Sequence, residues 1–432
     1  MSNNHSYNNN LKNLIKKKGI GKTMSKQLDE QDINIAKNCF ENPNENINSL
    51  CTLLTALIML DPNKQEKDLI NYLHTLDLNP VLKNLLNKTF SHPLKKSLEK
   101  IIHHHHLSDI EMLAHLKHLT THTHHDPINA IFLEGLRLKE ESSSENTTAL
   151  NYFYHQSNHI HCKCKLLLEF ANPYDGFTRF YPIQFFSSLI LASMGISCVF
   201  HGVYESGPKF GLTMEKLLLK ANIKPSPDLK NSKTQLENPD ISWSYISQQH
   251  FCPDLYQLQT LRKHIVKRPF LATIEKFLMP IYADKMITLT GFTHPAYRTK
   301  SIHLLTKRPI PSDFILIRGQ EGSSQAPIDR KAPCITAFKQ KIHEKFTSPE
   351  NFNIPTSERC KEESLDEDFL LEQGLNVLQN KKSPLTNSIL YQCQLILDNI
   401  AHNDLKHILP LQEVLKTKKA FKLFTHLQNQ TH

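Results

Sequence analysis

Glycine is scarce in this chain, with 12 glycines against 23 prolines among 432 residues. A loop that wraps a phosphate group needs glycine, because a side chain would keep the backbone amides away from the ligand. The shortage therefore disfavours a complete phosphate-binding site.

The chain also lacks a long apolar run. The longest, residues 185–200, is interrupted by serines and a glycine and is too short to span a bilayer. The N-terminal sequence MSNNHSYNNN has no apolar signal core. We therefore predict a soluble, cytoplasmic protein with no membrane partner.

The nine cysteines have no recognisable pairing framework, which favours a reducing compartment. Histidines crowd between residues 103 and 125, and His115 and His118 lie one helical turn apart, so that they could share a face. A metal site needs ligands that converge in space. An exposed, His-rich helix end and loop explains the cluster more simply, and we predict no metal site and no cofactor.

Charge and periodicity indicate how the chain is organised. The net charge is +9, which favours polyanionic partners but is also typical of a mildly basic soluble protein. Residues 1–22 are predicted to be a disordered basic arm. Residues 24–156 have apolar side chains at helical spacing throughout. Segments 28–60 and 107–139 end alike, in an apolar run followed by polar residues, so an internal duplication is one interpretation.

From residue 163 onwards, apolar strands alternate with helices. Strands are predicted at 166–170, 196–200, 287–291 and 314–317, and helices at 185–194, 214–222, 254–266, 367–379, 388–401 and 411–427. Residues 224–240 are polar and contain prolines, which predicts a surface excursion. The alternation predicts an α/β fold with a mainly parallel sheet. Within residues 171–222, two glycine-containing loops precede helices, where anions commonly bind.

These residues resemble the anthranilate phosphoribosyltransferase-like proteins of glycosyl transferase family 3 over about residues 107–430. The segment DPINAIFLEGLRLKEESSSE at 126–145 resembles the helical-domain signature of the family. The resemblance implies the nucleoside phosphorylase/phosphoribosyltransferase class II fold, a small helical domain plus a large α/β domain. It divides the chain into four parts: the arm 1–22, a helical segment 23–106, the family helical domain 107–160, and the α/β domain 161–432. The segment 23–106 is either a degenerate repeat of the helical domain or an extension of it.

Several motif positions of the enzyme carry other residues here. The Gly-Thr-Gly-Gly-Asp-Gly loop that wraps phosphoribosyl pyrophosphate (PRPP) reads Ala171-Asn172-Pro173-Tyr174-Asp175-Gly176. The Asn-x-Ser-Thr segment reads Pro182-Ile183-Gln184-Phe185, and the magnesium-binding Asp-Glu pair falls on Ser324 and Gln325. Magnesium needs hard oxygen ligands. The resemblance therefore implies that PRPP transfer is lost, with no catalytic residue assigned and a vestigial cleft formed by Asp175, Gly176, His201, Gly202 and Lys209.

Four short motifs resemble a divergent branch of the family, the YbiB-like proteins: 173–176 (PYDG), 201–202 (HG), 273–276 (TIEK) and 318–322 (RGQEG). Members of that branch are implied to bind nucleic acid as dimers and to lack the biosynthetic activity. The resemblance thus implies a homodimer, formed through the helical domain, that binds single-stranded DNA or RNA through a basic cleft.

Phosphate backbones need several cations along a groove, and bases stack on aromatic rings. The candidate nucleic-acid-binding cations are Arg179, Lys209, Arg262, Lys263, Lys267, Arg268 and Lys276, and the candidate stacking residues are Phe177, Phe180, Tyr181 and Phe210. A scattered basic surface with core aromatics is the simpler interpretation. Asp175 and Gly176 are expected to shape a turn, and Arg318 and Glu321 to fix a loop at a strand end. Two alternatives stay open: an active glycosyl or pentosyl transferase of the phosphoribosyltransferase type with an altered substrate, and a scaffold that binds another protein.

Overall fold

The computed structural model describes residues 2–19, 24–122, 126–356, 364–403, 405–406 and 408–430, with the backbone alone for residues 2–8. The chain divides into two compact units. The helical unit comprises Met1–Tyr152 and Asp254–Ile274, and the sheet unit comprises Phe153–Pro253 and Glu275–His432. The predicted boundary at residue 160 therefore lies inside the sheet unit, and the chain enters the helical unit a second time at residue 254.

The helical unit is built around the helix Ile47–Met59, which is buried along almost its whole length. A helix that is apolar on every side has to be covered all round, and Ser2–Lys18, Pro80–Leu86, Lys95–Ile102 and Ile128–Lys139 pack against it. The other helices of this unit are Glu30–Glu41, Lys64–Leu73, Asp109–His122, Gln259–Ile265 and Leu271–Ile274, and Ser143–Gln156 and Pro253–Tyr256 cross into the sheet unit.

The predicted disordered arm is replaced by a helix, Ser2–Lys18. Leu11, Leu14 and Ile15 have helical spacing and are buried, so the segment is anchored by apolar contacts. Lys18 is buried as well, and its ammonium group lies 2.9 Å from the buried Glu66 carboxylate. The prediction of disorder was wrong because these three apolar residues stand among asparagines and lysines, which dominate the local composition.

The sheet unit contains the strands β1 (Ile160–His161), β2 (Leu167–Ala171), β3 (Ser197–Gly202), β4 (Trp243–Ser247), β5 (Ile281–Tyr282), β6 (Met286–Gly291), β7 (Asp313–Ile317), β8 (Ala332–Phe338) and β9 (Lys341–Thr347). Within the described residues, seven of them form one sheet in the order β4-β3-β2-β6-β7-β8-β9. The pairs from β4 to β7 are parallel, and β8 and β9 add an antiparallel edge. The predicted α/β fold with a mainly parallel sheet is confirmed.

The two faces of the sheet carry different side chains because successive residues of a strand point to opposite sides. Leu168 and Phe170 of β2 join the larger apolar core, and Leu167 joins a smaller one. The larger core also contains the helices Gln184–Met194, Glu367–Leu378, Thr386–Ile400, Leu411–Lys416 and Lys419–Gln428. Glu169 has the parity of Leu167 and therefore lies on the face of the smaller core.

Several elements differ from the predicted pattern. Residues 224–240, predicted as a surface excursion, contain the helix Leu229–Glu237. The helix expected at 411–427 is two helices that meet at Lys418, whose φ of 54° is left-handed. Strands β4, β8 and β9 and the helices Met214–Lys220, Gln248–Phe251 and Pro295–Thr306 complete the unit. Among the described helices, none has the length and apolar character that crossing a membrane requires.

Candidate functional site

The loop after β2 is fixed by a close backbone approach at Gly176. Its φ is +73°, and a Cβ there would lie 2.8 Å from the Leu212 carbonyl oxygen. Phe177 and Leu212 form an antiparallel bridge, and Gly211 N–H donates to the Asp175 carbonyl at 3.0 Å. Asp175 and Gly176 therefore join the two loops of residues 171–222, which is the structural role expected of them.

A small cavity opens at the carboxyl ends of β2 and β3, where ligands of parallel-sheet proteins often bind. Its lining includes Asn172, Tyr174, Gln184, His201 and Gly202. The cavity measures about 30 Å³, which is about the volume of one water molecule. Sites for small organic ligands are usually about 300–1,000 Å³. Two members of the predicted vestigial cleft, Asp175 and Lys209, are not among the lining residues.

His201 belongs to a buried chain of polar side chains. Its Nε2 lies 3.2 Å from Glu169 Oε1, and since a carboxylate only accepts, Nε2 carries the proton. Its Nδ1 meets the hydroxyl of Tyr174, which also lies 3.2 Å from the Glu275 carbonyl oxygen. On the other side, the Arg308 guanidinium holds both oxygens of Glu169 at 2.8 and 3.0 Å.

The Glu169 carboxylate is the negatively charged group of this series of polar side chains. Burial raises its pKa, but the Arg308 guanidinium and hydrogen bonds from His201 and Thr288 outweigh burial, and the pKa falls to about 2. Glu169 therefore stays ionised opposite Arg308. His201, which lies within β3, is held by neighbours on both ring nitrogens and also lines the cavity.

The segments 182–185 and 324–325, which the resemblance aligns with the phosphate and magnesium motifs, contact each other. Their side chains are neutral amides and hydroxyls. Gln184 Nε2 donates to Ser324 Oγ at 2.6 Å, and its Oε1 accepts from Asn172 Nδ2 at 2.7 Å. Gln325 Oε1 accepts from the Ile183 backbone N–H at 3.0 Å, and its Nε2 donates to a carbonyl oxygen at 2.9 Å. These polar atoms satisfy one another, so the arrangement offers no anionic oxygen to a metal ion.

A carboxylate of the same chain occupies the backbone amides of the next loop. Glu321 Oε1 accepts from the N–H groups of Thr178, Arg179 and Phe180 at 2.9–3.2 Å. Its Oε2 lies 2.7 Å from the Lys209 ammonium nitrogen. Burial raises the pKa of Glu321, but Lys209 and the amides outweigh it and hold the pKa below its usual range. Glu321 therefore fixes residues 178–180 after β2, whereas the sequence was expected to place it in a loop at the end of its own strand, β7.

The seven predicted nucleic-acid-binding cations are not equally exposed, and they are divided between the two units. Arg179 and Lys263 are exposed, and Arg268 is half-buried. The other four are in positions that do not suit a phosphate contact: Arg262, Lys267 and Lys276 are buried, and Lys209 is paired with Glu321. Lys276 donates to Thr290 Oγ1 and to the Gly291 carbonyl oxygen at 3.1 and 3.0 Å.

Lys267 is constrained by its surroundings in the helical unit. Its ammonium group donates to the Lys16 carbonyl oxygen at 2.8 Å. Burial and the nearby Arg137 lower the pKa of Lys267 to about 8, although Glu134 opposes the shift. The prediction of one basic groove from all seven residues therefore needs correction: the sequence showed the charges but not which of them fold inward.

We give the name aromatic rim to four side chains of the sheet unit: the exposed Arg179, Tyr204 and Phe210, and the half-buried Lys216, whose ammonium nitrogen lies 3.5 Å from Glu205 Oε2. Tyr204 and Phe210 are 49% and 40% exposed. The Lys216 ammonium nitrogen lies 5.5 Å from the Tyr204 ring centroid and 3.3 Å from the Phe210 carbonyl oxygen. The antiparallel bridge between Phe177 and Leu212 joins the two segments that carry Arg179 and Phe210. Sequence reasoning found Arg179 and Phe210 but missed Tyr204 and Lys216.

The other predicted stacking residues are not available to bases. Phe177, Phe180 and Tyr181 are each less than 8% exposed. Tyr181 packs against Phe369, with ring centroids 5.5 Å apart. These three aromatics are core residues, which the simpler interpretation of the sequence had favoured.

Comparison with solved structures identifies the fold. Anthranilate phosphoribosyltransferase (TrpD) from Thermus thermophilus superposes with a TM-score of 0.60 at 14% identity, over 77% of this chain and 98% of that one. The Saccharomyces cerevisiae anthranilate phosphoribosyltransferase in complex with PRPP and Mg superposes with a TM-score of 0.55 at 12% identity, over 93% of this chain and 98% of that one. This chain has the anthranilate phosphoribosyltransferase fold. The fold implied by the sequence resemblance is thereby confirmed.

Sequence comparison is less informative than the comparison of structures. No protein-family model matches the chain. An "Uncharacterized protein" of Aquifex aeolicus (strain VF5) is 25% identical over 199 residues, which are 46% of this chain and 58% of that protein. The match spans little more than half of that relative, and membership of the YbiB-like branch stays a prediction.

Proposed function

We propose that this protein uses a phosphoribosyltransferase fold without PRPP transfer and binds single-stranded nucleic acid as a homodimer. The position of Glu321 is the main support for the absence of PRPP transfer. An anion-binding set of three backbone amides and a lysine is already neutralised by a carboxylate of the same chain, so a phosphate would have to displace it.

The amide network supports the same conclusion. In the resemblance, a magnesium-binding Asp-Glu pair falls on Ser324 and Gln325. Here Ser324 accepts a hydrogen bond from Gln184, and Gln325 is bonded to the backbone at residue 183. A divalent metal prefers anionic oxygens, and a neutral, internally paired set has little affinity for it.

The aromatic rim supports nucleic-acid binding. It combines two exposed rings with the exposed cation Arg179 and with the half-buried Lys216, whose charge is shared with Glu205. Bases stack on exposed rings irrespective of sequence, and cations beside them neutralise the phosphates between successive bases. A patch of this composition fits a single strand, whose bases are free to stack. It does not provide the groove contacts that read a duplex.

The proposal is tested by fluorescence anisotropy of the full chain with labelled single-stranded DNA and RNA oligonucleotides, at several salt concentrations. Wild-type protein should bind, and the affinity should fall as salt rises. The double variant Arg179→Ala/Phe210→Ala should raise Kd at least ~10-fold, since one stacked base contributes about 1–3 kcal/mol.

The matched control is Tyr297→Ala/Lys300→Ala, which removes another exposed ring and the lysine 5.6 Å from its centroid in the same unit. The control should bind as wild type does. Absence of binding by the wild type at low salt would overturn the proposal, and equal losses in both double variants would show that the rim is not the site.

The alternative, a pentosyl transferase with an altered substrate, is supported by one observation. Tyr174 and His201 both line the cavity, where they could hold or move a proton. The cavity would have to enlarge about ten-fold to admit a nucleoside or a ribose phosphate. Calorimetric titration with PRPP, ribose 5-phosphate and nucleosides should give no heat of binding, and saturable binding of any of them would favour the transferase.

A further inference from the structure

Three potential metal ligands from separate parts of the helical unit point to one place. His92 lies in the loop before the helix Lys95–Ile102, His118 lies in the helix Asp109–His122, and Asp126 lies just before the helix Ile128–Lys139. One ligand atom of each lies within 4.8 Å of the others. His124 and His125, which the sequence placed in the same cluster, lie outside the described residues.

The carboxylate is oriented towards the two imidazoles. Asp126 Oδ1 accepts from the Ile128 N–H at 2.9 Å, which leaves Oδ2 facing the histidines. Asp126 Oδ2 lies 2.8 Å from His118 Nε2 and 3.7 Å from His92 Nε2. A single hydrogen-bonded Asp–His pair accounts for His118 alone, and it does not explain why a second imidazole nitrogen is directed at the same oxygen.

Each histidine ring is also held by a neighbour. His92 Nδ1 accepts from the Leu94 N–H at 3.1 Å, and its ring meets His118 edge-on with centroids 4.9 Å apart. His118 stacks on His122 with centroids 4.1 Å apart. In the metal-free protein these neighbours hold both rings close to the Asp126 carboxylate, and the bond from Leu94 to His92 has to break when Nε2 binds an ion.

His115, the other histidine singled out from the sequence, has a different role. It is buried, stacks on Phe132 with centroids 4.3 Å apart, and its Nε2 lies 2.7 Å from Ser97 Oγ. His115 is a satisfied core residue. His115 and His118, which the sequence allowed to share a helix face, have different partners: His118 contacts His92, His122 and Asp126.

We propose that His92, His118 and Asp126 form a three-ligand site for a divalent transition metal, and that Zn²⁺ is the ion that fits best. Two imidazole nitrogens and one carboxylate oxygen are a donor set that zinc accepts, with water in the fourth position. Bond lengths of ~2.0–2.2 Å place tetrahedral ligands ~3.3 Å apart, and the two N–O distances bracket that value.

Metal binding has a defined local consequence at His92. Coordination by Nε2 places the ring proton on Nδ1, so the Leu94 N–H loses its acceptor. The ion would connect the helix Asp109–His122 to the two segments that precede the helices Lys95–Ile102 and Ile128–Lys139. It would therefore stabilise the folded helical unit, by a free energy that rises with the logarithm of the ion concentration once this exceeds Kd.

The test uses the full chain without an added histidine tag, stripped of metal with a chelator and titrated with Zn²⁺ in a calorimeter. Wild type should bind one equivalent, and Asp126→Asn and His118→Ala should each raise Kd at least ~10-fold. Co²⁺ in place of Zn²⁺ should give the intense visible absorption of a tetrahedral site in wild type and lose it in Asp126→Asn. Circular dichroism shows whether each variant is folded.

The matched control is His105→Ala, which removes an exposed histidine of the run at 103–106. It should bind Zn²⁺ as wild type does. If Asp126→Asn binds Zn²⁺ unchanged, or if His105→Ala alone abolishes binding, the metal binds adventitiously to the exposed histidines and the proposal is wrong. The variants used to test nucleic-acid binding change only residues of the sheet unit, so a failure of that proposal would not affect this result.

Discussion

Glu169 and Arg308 illustrate how a single buried ion pair organises polar residues around it. The guanidinium contacts both oxygens of the carboxylate, and the Thr288 hydroxyl donates to one of them at 2.6 Å. A buried charge is tolerated only when its partner and its hydrogen bonds are complete. His201 takes its position from the same carboxylate, so its orientation depends on the ion pair.

The variant Glu169→Gln should lower the free energy of unfolding by about 3–5 kcal/mol, because it leaves Arg308 buried without an opposite charge. Urea unfolding followed by tryptophan fluorescence measures this directly. The chain has one tryptophan, Trp243, buried in β4 of the same unit. Glu350→Gln, at a carboxylate on the protein surface, should change stability by less than ~0.5 kcal/mol.

The same ion pair sets an acid dependence. The folded-state pKa of Glu169, about 2, lies below the ordinary value of 4.5. Its contribution to stability is therefore present above pH ~4.5 and is lost as the pH falls towards 2. Wild type should lose more stability over this range than Glu169→Gln does. Parallel pH profiles of the two proteins would contradict the assignment.

At the scale of elements, the loop pair around Gly176 connects two parts of residues 171–222. The variant Gly176→Ala should cost roughly 2–4 kcal/mol, from the left-handed backbone penalty and overpacking together. Gly322→Ala is the control. Gly322 also has a positive φ, of +85°, but the atom nearest to an added Cβ lies 3.5 Å away.

Gly322→Ala should therefore cost only about 1–2 kcal/mol. The same urea titration compares the two variants. Equal losses would mean that the close approach of Gly176 to Leu212 does not contribute.

Four of the five parallel strands of the seven-stranded sheet were predictable because they are continuous apolar runs between turn signals; β4 was not predicted. β2, β3, β6 and β7 were each predicted to within about two residues of their observed bounds. β9 was not, since six of its seven residues are exposed and it has no apolar alternation. It is a strand because its backbone pairs with β8, and such pairing leaves little trace in composition.

The site was less predictable than the fold. The sequence indicated that Asp175, Gly176 and Glu321 shape loops, and these positions behave so. It could not show that the amides of residues 178–180 bind a carboxylate more than 140 residues away, or that Arg262 and Lys276 are buried. Such facts depend on long-range packing, which local residue patterns do not encode.

At the scale of the molecule, the helical unit has an internal likeness that the sequence suggested. The helices Glu30–Glu41 and Ile47–Met59 repeat the order of Asp109–His122 and Ile128–Lys139, and the second helix of each pair packs against that of the other. The arrangement is compatible with a duplicated helix pair. Duplication stays a prediction.

We expect the protein to be a homodimer, as the sequence resemblance implies. Sedimentation equilibrium at micromolar concentration should give twice the chain mass of 49.8 kDa. Repeating the measurement at high salt separates apolar association, which persists, from association by charge, which weakens. A monomer mass at every concentration would contradict the expectation.

The Glu321 carboxylate has a consequence for any attempt to design a transferase on this fold. Grafting the enzyme's glycine loop and acidic pair onto this scaffold would supply the ligands of a transferase, but Glu321 would still occupy three amides and Lys209. Phosphate would then compete with a tethered carboxylate whose effective concentration far exceeds that of a free ligand. A design intended to bind phosphate at these amides would therefore have to replace Glu321 as well.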